Sequence, residues 1–275
     1  MDHLDELENR SVYIIRESYH QFGRMAALWS VGKDSTALVW LCRKAFLGRI
    51  PFPVIHVDTG RKFKLMYAFR DQCVRDWGLE LIVVRNEKAI AEGVGPDYAP
   101  DHVPAAERKL YCCTALKTQA LKDCIHEHGF EGLLLGIRRD EHGIRAKERY
   151  FSPRDRRFQW DYENQPPELW DQYTSQADEE THIRVHPLLH WREIDIWRYV
   201  QREGLPVNPL YFARDGKRYR SLGCETCCSP VESEATSVAE IIHELETTTV
   251  AERSGRAQDK EDAYTMQKLR SLGYM

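Results

Sequence analysis

No stretch of this 275-residue chain is apolar for long enough to cross a membrane, because a spanning helix needs about 20 consecutive apolar residues. The first ten residues are acidic and contain none of the apolar run that a secretory signal requires. The sequence therefore predicts a cytoplasmic protein without a membrane partner.

The chain also lacks an excess of positive charge. It has 39 Lys and Arg residues against 43 Asp and Glu residues, a net charge of −4. Proteins that bind nucleic acid are usually basic, so no nucleic-acid partner is expected and any anion-binding site must be local. The length suits one large α/β domain with an appendage.

Two common nucleotide-binding motifs are absent as well. No G-x-G-x-x-G follows the first predicted strand, which argues against a dinucleotide-binding fold. The Walker A motif requires a Gly five residues before the Gly of its Gly-Lys pair, and a Ser or Thr after the Lys. Ala27 and Asp34 occupy these two places, so this motif is excluded.

What the chain does have, near its start, is a predicted strand, tight turn and helix. Residues 25–29 are apolar, as in a buried parallel strand, and residues 35–46 carry apolar side chains at helical spacing. Such a turn directs backbone N–H groups and the positive end of the helix dipole into one concavity, where Lys33 adds a full charge. We predict a phosphate site at this surface turn; an ordinary connection that carries a lysine is the alternative. The predicted phosphate-binding residues are Ser30, Val31, Gly32, Lys33, Asp34 and Ser35.

A second predicted strand ends in His56-Val-Asp-Thr-Gly60. Ligands of open parallel sheets lie beyond the carboxyl ends of the strands, so Asp58 and Thr59 are expected beside the same site. Asp58 would hold Mg²⁺ through water or contact a ribose; the alternative is a cap for the helix predicted over residues 62–77. Gly136, near the end of the fourth predicted strand, is also assigned to the nucleotide site.

Five basic residues lie within the twelve residues 138–149, directly after that fourth strand. Charge runs usually lie on solvated surfaces. Arginines placed just past a strand end, however, can bind a triphosphate or a tetrahedral oxyanion through two parallel hydrogen bonds, and we favour this interpretation. The predicted catalytic residues are Lys33, Arg138, Arg139, Arg145 and Arg149.

Eight cysteines are the last distinctive feature. In a chain predicted to be cytoplasmic, closely spaced cysteines indicate metal or redox chemistry before disulfides. Cys224 and Cys227 have the spacing of one metal-binding knuckle, and the adjacent Cys112 and Cys113 suit a large cluster better than zinc. Four thiolates can hold a [4Fe-4S] cluster; zinc and reduced thiols without metal are the alternatives. The remaining cysteines are Cys42, Cys73 and Cys124, expected in the core, and Cys228, a spare thiol.

Strands and helices alternate along the chain, which predicts an α/β fold. We expect an open, twisted, mainly parallel sheet with helices on both faces, and a C-terminal helical and irregular extension. The predicted domains are residues 1–205 and 206–275. Residues 150–182 are irregular, polar and aromatic, which predicts a surface excursion or a partner contact, and the tail is expected to end in a short amphipathic helix.

Several motifs occur in an order that resembles a known family. They are the 30–35 turn, His56 to Gly60, Arg138 to Glu141 with Arg145 to Arg149, Pro187-Leu188 with Trp191 and Asp195 to Trp197, and Glu252-Arg-x-Gly-Arg256 with Asp259. Together they resemble the small subunits of bacterial ATP sulfurylases (sulfate adenylyltransferase subunit 2), within the PAPS reductase-like branch of the PP-loop ATP pyrophosphatases. The resemblance runs from about residue 10 to the C-terminus. The 30–35 turn resembles the PP-loop S-G-G-K-D-S, with Val31 in place of its first Gly.

The resemblance implies an adenylyltransferase that activates sulfate to adenylyl sulfate and releases pyrophosphate from ATP. Lys33 and the 30–35 turn would hold the phosphates, Mg²⁺ would bridge them, and the arginines would stabilise the oxyanion and the developing charge. In this family a separate GTPase subunit drives the uphill reaction. Because the chain has no GTPase motif, a large-subunit partner is expected, and a homo-oligomer is a second assembly to consider.

Two departures from the family leave other functions open. The chain is shorter between Tyr211 and Arg220, and its Cys-Cys and Cys-x-x-Cys pairs resemble the [4Fe-4S] set of APS reductases. The cysteines therefore also suit a cluster-dependent sulfurtransferase that adenylates a small-molecule acceptor before sulfur insertion. An adenylyl-sulfate reductase is less favoured, because that family has its nucleophilic cysteine in the tail and no cysteine follows Cys228.

Overall fold

The computed structural model describes most of the chain. The described residues are 1–103, 108–143, 145–155, 157–160 and 182–255, with Gln165, Glu168 and Tyr173. The predicted tail helix, Arg256 and Asp259 lie outside them, as does most of the aromatic segment 161–181. Within the described ranges, each helix is too short or too polar to cross a lipid bilayer.

A six-stranded sheet forms the centre of the molecule. Its strands are β1 (Met25–Leu28), β2 (Val54–Val57), β3 (Leu81–Val84), β4 (Gly132–Leu134), β5 (Phe151–Arg154) and β6 (His182–Val185). Their spatial order is β3-β2-β1-β4-β6-β5, and only the β5–β6 pair is antiparallel. The predicted α/β class and mainly parallel sheet are confirmed.

Helices connect the strands. They are α1 (His3–Gln21), α2 (Lys33–Ala45), α3 (Lys64–Trp77), α4 (Glu87–Ala91), α5 (Arg108–Cys113), α6 (Ala120–His128), α7 (Glu193–Glu203) and α8 (Val238–Thr247). A π-helical turn, Thr114–Gln119, joins α5 to α6. Beyond the sheet, β7 (Lys217–Arg218) and β8 (Val231–Glu232) form a short antiparallel pair.

Helices cover both faces of the sheet, as predicted. Successive side chains of a strand point to opposite faces, so Ala27 joins a core with α1, α2 and α7, whereas Ala26 and Leu28 join a second core with α6. Because both faces are buried, β1 consists of apolar residues without alternation.

The order of the strands places a crevice beside β1. The chain leaves β1 toward β2 on one side, and β4 pairs on the other side. Open α/β sheets bind ligands at such a switch point, beyond the carboxyl ends of the strands. The fold therefore directs the search for a site to the turns that follow β1, β2 and β4.

Candidate active site

A pocket opens at this edge of the sheet. One wall is apolar and consists of Leu28, Ile55, Val57, Leu135 and Ile137. The polar lining includes Ser30, Gly32, Lys33, Asp34, Ser35, Lys62, Lys117, Gly136, Glu141, Arg145, Tyr211, Cys224 and Arg253. An apolar wall beside a charged floor suits a ligand with an aromatic base and anionic groups.

The 30–35 turn has the predicted form, a strand followed by a tight turn and a helix. The hydroxyls of Ser30 and Ser35 lie 3.0 Å apart, and helix α2 begins at Lys33. The first N–H groups of a helix have no partner within the helix and carry its positive dipole end. Here the Lys33 N–H donates to the Tyr211 hydroxyl at 2.8 Å, which ties the turn to the C-terminal part of the chain.

Two backbone features shape the turn. Val31 adopts φ 69°, a left-handed conformation that a β-branched residue rarely takes. It stands where the PP-loop has Gly, and it keeps the Gly-like conformation. Gly136 approaches α2 so closely that a Cβ atom there would lie 3.1 Å from the Asp34 carbonyl oxygen. The turn therefore depends on a strained residue and on a close approach that only Gly permits.

The sequence predicted that Lys33 lies at an exposed turn. This is wrong, because only 2% of the surface of Lys33 is accessible to solvent. Its ammonium contacts the Glu252 carboxylate and lies 3.4 Å from Asp34 and 3.8 Å from Glu193. Burial opposes the charge, but Glu252 and Glu193 outweigh it and raise the pKa of Lys33. Lys33 is thus a charged group held inside a carboxylate cage.

The basic segment 138–149 divides into different roles. Arg145 lines the pocket and pairs with Glu141. Arg138 lies beneath the pocket, fully buried, where it contacts Asp34 and Glu252.

The other two predicted arginines are not among the residues that line the pocket. Arg139 contacts His190, and the Arg149 carbonyl accepts from His186 Nδ1 at 2.7 Å. The structure therefore brings one of the four predicted arginines to the pocket surface and places a second, Arg138, directly behind it.

Sequence reasoning missed the contribution of the segment after α8. Arg253 lines the pocket and donates to Glu141 Oε1 at 2.8 Å, while Glu252 bridges Lys33 and Arg138. Both residues belong to the Glu252-to-Arg256 motif that carried the family resemblance, but nothing in the spacing assigned them a role. Nothing in the sequence assigned a role to Tyr211 either, although it lines the pocket.

Two lysines of the pocket were also missed. Lys62 follows β2 by five residues, and Lys117 lies in the π-helical turn. The Lys62 ammonium lies 3.3 Å from His56 Nε2. Burial and the neighbouring Lys117 lower the pKa of Lys62 to about 7, and burial lowers the pKa of His56 to about 3. His56 is therefore neutral and accepts a hydrogen bond from Lys62.

Asp58 and Thr59 lie next to the pocket but are not among its lining residues. The Asp58 carboxylate accepts from the Gly60 N–H at 2.8 Å and the Tyr67 hydroxyl at 2.7 Å. These contacts hold the turn after β2. Asp58 is not the cap of α3, because that helix begins at Lys64.

Of the four cysteines predicted to bind metal, Cys224 lies near Cys227 and Cys112. The neighbouring Cys227 thiol lowers the pKa of Cys224, and Cys112 lies within electrostatic range of both Cys113 and Cys224. Thr59 Oγ1 is 3.2 Å from Cys224 Sγ. In the part of the chain that the structure describes, no three His, Cys, Asp or Glu side chains form a group that could hold a metal ion. The predicted convergence of four sulfur atoms is therefore not seen.

The remaining cysteines behave as expected. Cys42, Cys73 and Cys124 are buried in the two cores, which confirms their structural role. Burial raises the pKa of Cys124 to about 11, as expected for an unreactive thiol.

Comparisons with known proteins agree with this arrangement. Residues 24–230 match the family described as "Phosphoadenosine phosphosulfate reductase domain". The chain is 42% identical to the sulfate adenylyltransferase subunit 2 of Saccharophagus degradans, over 100% of this chain and 98% of that protein. It is also 42% identical to the protein of the same name from Myxococcus xanthus, over 99% of this chain and 96% of the relative.

Solved structures show a shared fold at lower identity. The FMN adenylyltransferase of Candida glabrata in complex with ATP has a TM-score of 0.55 and 17% identity, covering 82% of this chain and 63% of that one. The phosphoadenylyl-sulfate reductase of Candida auris has a TM-score of 0.53 and 16% identity, covering 84% of this chain and 97% of the other. Both similarities confirm the fold class.

Proposed function

Since the chain belongs to the sulfate adenylyltransferase subunit 2 family, we propose that it transfers AMP from ATP to sulfate and releases pyrophosphate. The observation that carries this proposal is the convergence of the 30–35 turn, Arg145 and Arg253 on one pocket at the switch point of the sheet. The similarity to the Saccharophagus degradans relative covers 98% of that protein.

In the proposed reaction a sulfate oxygen attacks the α-phosphorus of ATP. The bond between that phosphorus and the oxygen bridging to the β-phosphate breaks, and pyrophosphate leaves with the electron pair. No proton needs to move, so positioning and charge stabilisation supply the catalysis. The apolar wall would bind the adenine, and the amides at the start of α2, with Lys33, would hold the phosphate chain.

The charged residues of the pocket suit the binding of phosphate groups and the stabilisation of their charge. Arg145 and Arg253 share Glu141, so both guanidinium groups are held at the pocket before a ligand arrives. Their planar donors fit phosphate oxygens. Mg²⁺ would enter with the triphosphate, whose oxygens are ligands of the kind it prefers.

We also propose a large-subunit partner, because the relatives are named as subunit 2. A GTPase is the activity we expect of it, since sulfate activation is strongly uphill, and the cytoplasm is the expected location of the complex. Co-purification of the chain with a candidate large subunit, followed by a test for GTP-dependent turnover, checks this part of the proposal. Turnover that is equal with and without GTP would argue against it.

The proposed function is tested by pyrophosphate release. The complex is supplied with ATP and Mg²⁺, with and without sulfate, and pyrophosphate is measured. We expect release that depends on sulfate. Release that is absent, or equal with and without sulfate, would contradict the proposal.

A [4Fe-4S] cluster on Cys112, Cys113, Cys224 and Cys227, or zinc as the alternative, stays a prediction. The contact of Cys224 with Cys227, and the proximity of Cys112, support it, whereas the described side chains do not form a four-thiolate cage. We therefore route no step of the reaction through a cluster, and no observation favours the sulfurtransferase over the adenylyltransferase. Anaerobic protein with a visible absorption band and about four irons per chain would support the cluster; one zinc would support the alternative.

A further inference from the structure

Tyr211 brings a hydroxyl group to the start of helix α2. Only 1% of Tyr211 is accessible to solvent, yet it is one of the residues that line the pocket. Its hydroxyl oxygen accepts the N–H of Lys33, the first residue of α2, at 2.8 Å. This oxygen therefore lies at the positive end of the helix dipole, where helices commonly bind anions through their first N–H groups.

The same hydroxyl carries a proton that it can donate, since a tyrosine hydroxyl both accepts and donates. Among the residues that the structure describes, none accepts this proton. Glu252 and Glu193 act on Tyr211 electrostatically, but their oxygens bind Lys33 and Arg220 instead. Burial raises the pKa of Tyr211, so the hydroxyl is protonated at neutral pH. A buried donor without an acceptor costs free energy, and an acceptor brought by a ligand would remove that cost.

Gly32 leaves space beside this hydroxyl. Its φ is −84°, a conformation that any residue adopts, so the backbone does not require Gly here. A Cβ atom at Gly32 would lie 3.3 Å from the Tyr211 hydroxyl oxygen and 3.5 Å from Ser30 Oγ. The missing side chain therefore provides room, and two hydroxyl groups face that room.

Packing holds the Tyr211 ring in this position. The ring meets that of Trp197 edge to face, with centroids 5.3 Å apart and an interplanar angle of 86°. Tyr211 ends the short 3₁₀ turn Pro209–Tyr211, and the preceding Asn208 donates to the Leu65 carbonyl of α3 at 3.3 Å. The hydroxyl is thus oriented before a ligand binds, which reduces the reorganisation that binding requires.

We infer that the Tyr211 hydroxyl donates a hydrogen bond to a phosphate oxygen of the nucleotide while it accepts the Lys33 N–H. The inference rests on the proposed function for the identity of this ligand. An accepted hydrogen bond polarises a hydroxyl and makes it a stronger donor. Tyr211 would therefore extend the helix amide toward the phosphate chain, and its proton stays on the phenol oxygen throughout.

The first test is equilibrium binding by calorimetry. The ligands are an ATP analogue whose α–β bridging oxygen is replaced by methylene, and adenosine, which has no phosphate. We expect Tyr211→Phe to weaken binding of the analogue by about tenfold or more, the size of one hydrogen bond to a charged group. Binding of adenosine should be unchanged. Equal or tighter binding of the analogue by Tyr211→Phe would overturn the inference, since tighter binding would mean that the hydroxyl competes with phosphate for the Lys33 N–H.

Tyr199→Phe is the matched control. Tyr199 is a buried tyrosine of α7 that is not among the residues lining the pocket, and its hydroxyl donates to Glu8 at 2.7 Å. This variant also removes one phenol hydroxyl from the protein interior. We expect it to bind the analogue with wild-type affinity. An equal loss of affinity in both variants would show a general loosening of the fold and overturn the role of Tyr211.

A ring-fluorinated tyrosine at position 211 separates donation to the ligand from support of the turn. Fluorine makes the phenol more acidic, so its hydroxyl becomes a stronger donor and a weaker acceptor. Below the pKa of this phenol, we expect the analogue to bind about twofold more tightly than to the wild type. A hydroxyl that only accepts the Lys33 N–H would give equal or weaker binding, which would refute donation to phosphate.

Turnover separates this inference from the proposed function. Sulfate-dependent pyrophosphate release by the wild-type complex tests the function by itself. If that release occurs, Tyr211→Phe should raise the KM for ATP by about tenfold and leave the KM for sulfate unchanged. Release by the wild type with an unchanged KM for ATP in Tyr211→Phe would refute the inference and leave the function standing. Weaker binding of the analogue by Tyr211→Phe, without any release by the wild type, would refute the function and leave the hydrogen bond standing.

Discussion

At the scale of single residues, the strongest constraint is the charge network around Lys33. Its ammonium, Arg138 and the carboxylates of Glu252 and Glu193 are all buried. Removing one member of a buried ion pair leaves its partner without compensation and costs about 3–5 kcal/mol. The lysine that is expected to hold phosphate is therefore also a structural residue.

We predict that Lys33→Ala lowers the free energy of unfolding by about 3 kcal/mol in urea titrations. Adding Glu252→Gln should recover part of this loss, because it removes the carboxylate that Lys33 neutralised. Glu252→Gln alone is the control and should itself destabilise, since it leaves Lys33 and Arg138 under-compensated. Equal stability of the wild type and Lys33→Ala would contradict the network.

Val31 gives a second prediction at this scale. Replacing a buried Val by Gly normally destabilises more than replacing it by Ala, because Gly also adds backbone freedom to the unfolded chain. At φ 69° the order should reverse, since Ala keeps the left-handed strain and Gly relieves it. We expect Val31→Gly to be about 1 kcal/mol more stable than Val31→Ala in the same titrations. If Val31→Ala is instead more stable than Val31→Gly, the turn must relax to another conformation in the variants.

The arginines of the segment 138–149 should differ in their effect on catalysis. Arg145→Ala is expected to lower kcat by about 10²-fold, the scale of one lost oxyanion donor. Arg149→Ala, whose side chain is not among the residues lining the pocket, should change kcat less than about threefold. Steady-state kinetics of the two variants checks this, and equal effects would contradict the placement of the pocket.

At the scale of elements, the antiparallel pair β5–β6 contains a buried histidine that makes the stability of the protein depend on pH. His182, the first residue of β6, is buried and its ring centroid lies 4.8 Å from that of Phe158. Burial, followed by the nearby Arg184 and Arg154, lowers the pKa of His182 well below its usual value. His182 is therefore neutral in the folded protein over the ordinary pH range.

This depressed pKa predicts acid destabilisation with a definite sign. The unfolded chain binds a proton at His182 below pH ~6.5, whereas the folded chain does not, so stability is present above that pH and is lost as the pH falls. Below pH ~6.5 the loss is about 1.4 kcal/mol per pH unit. Between about pH 7.5 and 5.5 only the last unit contributes, so the wild type should lose about 1.4 kcal/mol more stability than His182→Phe in urea titrations. An equal loss in both proteins would mean that His182 is protonated in the folded state.

The elements that the sequence predicted well are the buried ones. Strands β1 and β4 contain no polar side chain and β2 contains only His56, because both faces of the sheet are covered, and such a short apolar run is easy to recognise. Strand β5 was missed inside the segment predicted to be irregular. It is an edge strand that contains Pro153 and ends in Arg154, and edge strands tolerate both. The π-helical turn that presents Lys117 could not be recognised from the sequence, since a π turn has no distinct residue pattern.

At the scale of the whole molecule, the site could be predicted only where one segment supplies it. The 30–35 turn was recognised because strand, turn and helix are contiguous. Tyr211, Glu252 and Arg253 reach the same pocket from nearly 180 to 220 residues further along, through contacts that no local pattern encodes. Arg138 and Arg145 look equivalent in sequence, and only the packed structure separates the buried one from the one at the pocket surface.

The central claim is that this pocket joins the α-phosphate of ATP to sulfate, and it is tested most directly by the identity of the product. The complex is incubated with ATP, Mg²⁺ and radiolabelled sulfate, with pyrophosphatase present to pull the reaction forward. We predict that label appears in adenylyl sulfate with the wild type and falls by about 10²-fold with Arg145→Ala. Label that stays in free sulfate while ATP is consumed, or that enters the product equally with Arg145→Ala, would contradict the account.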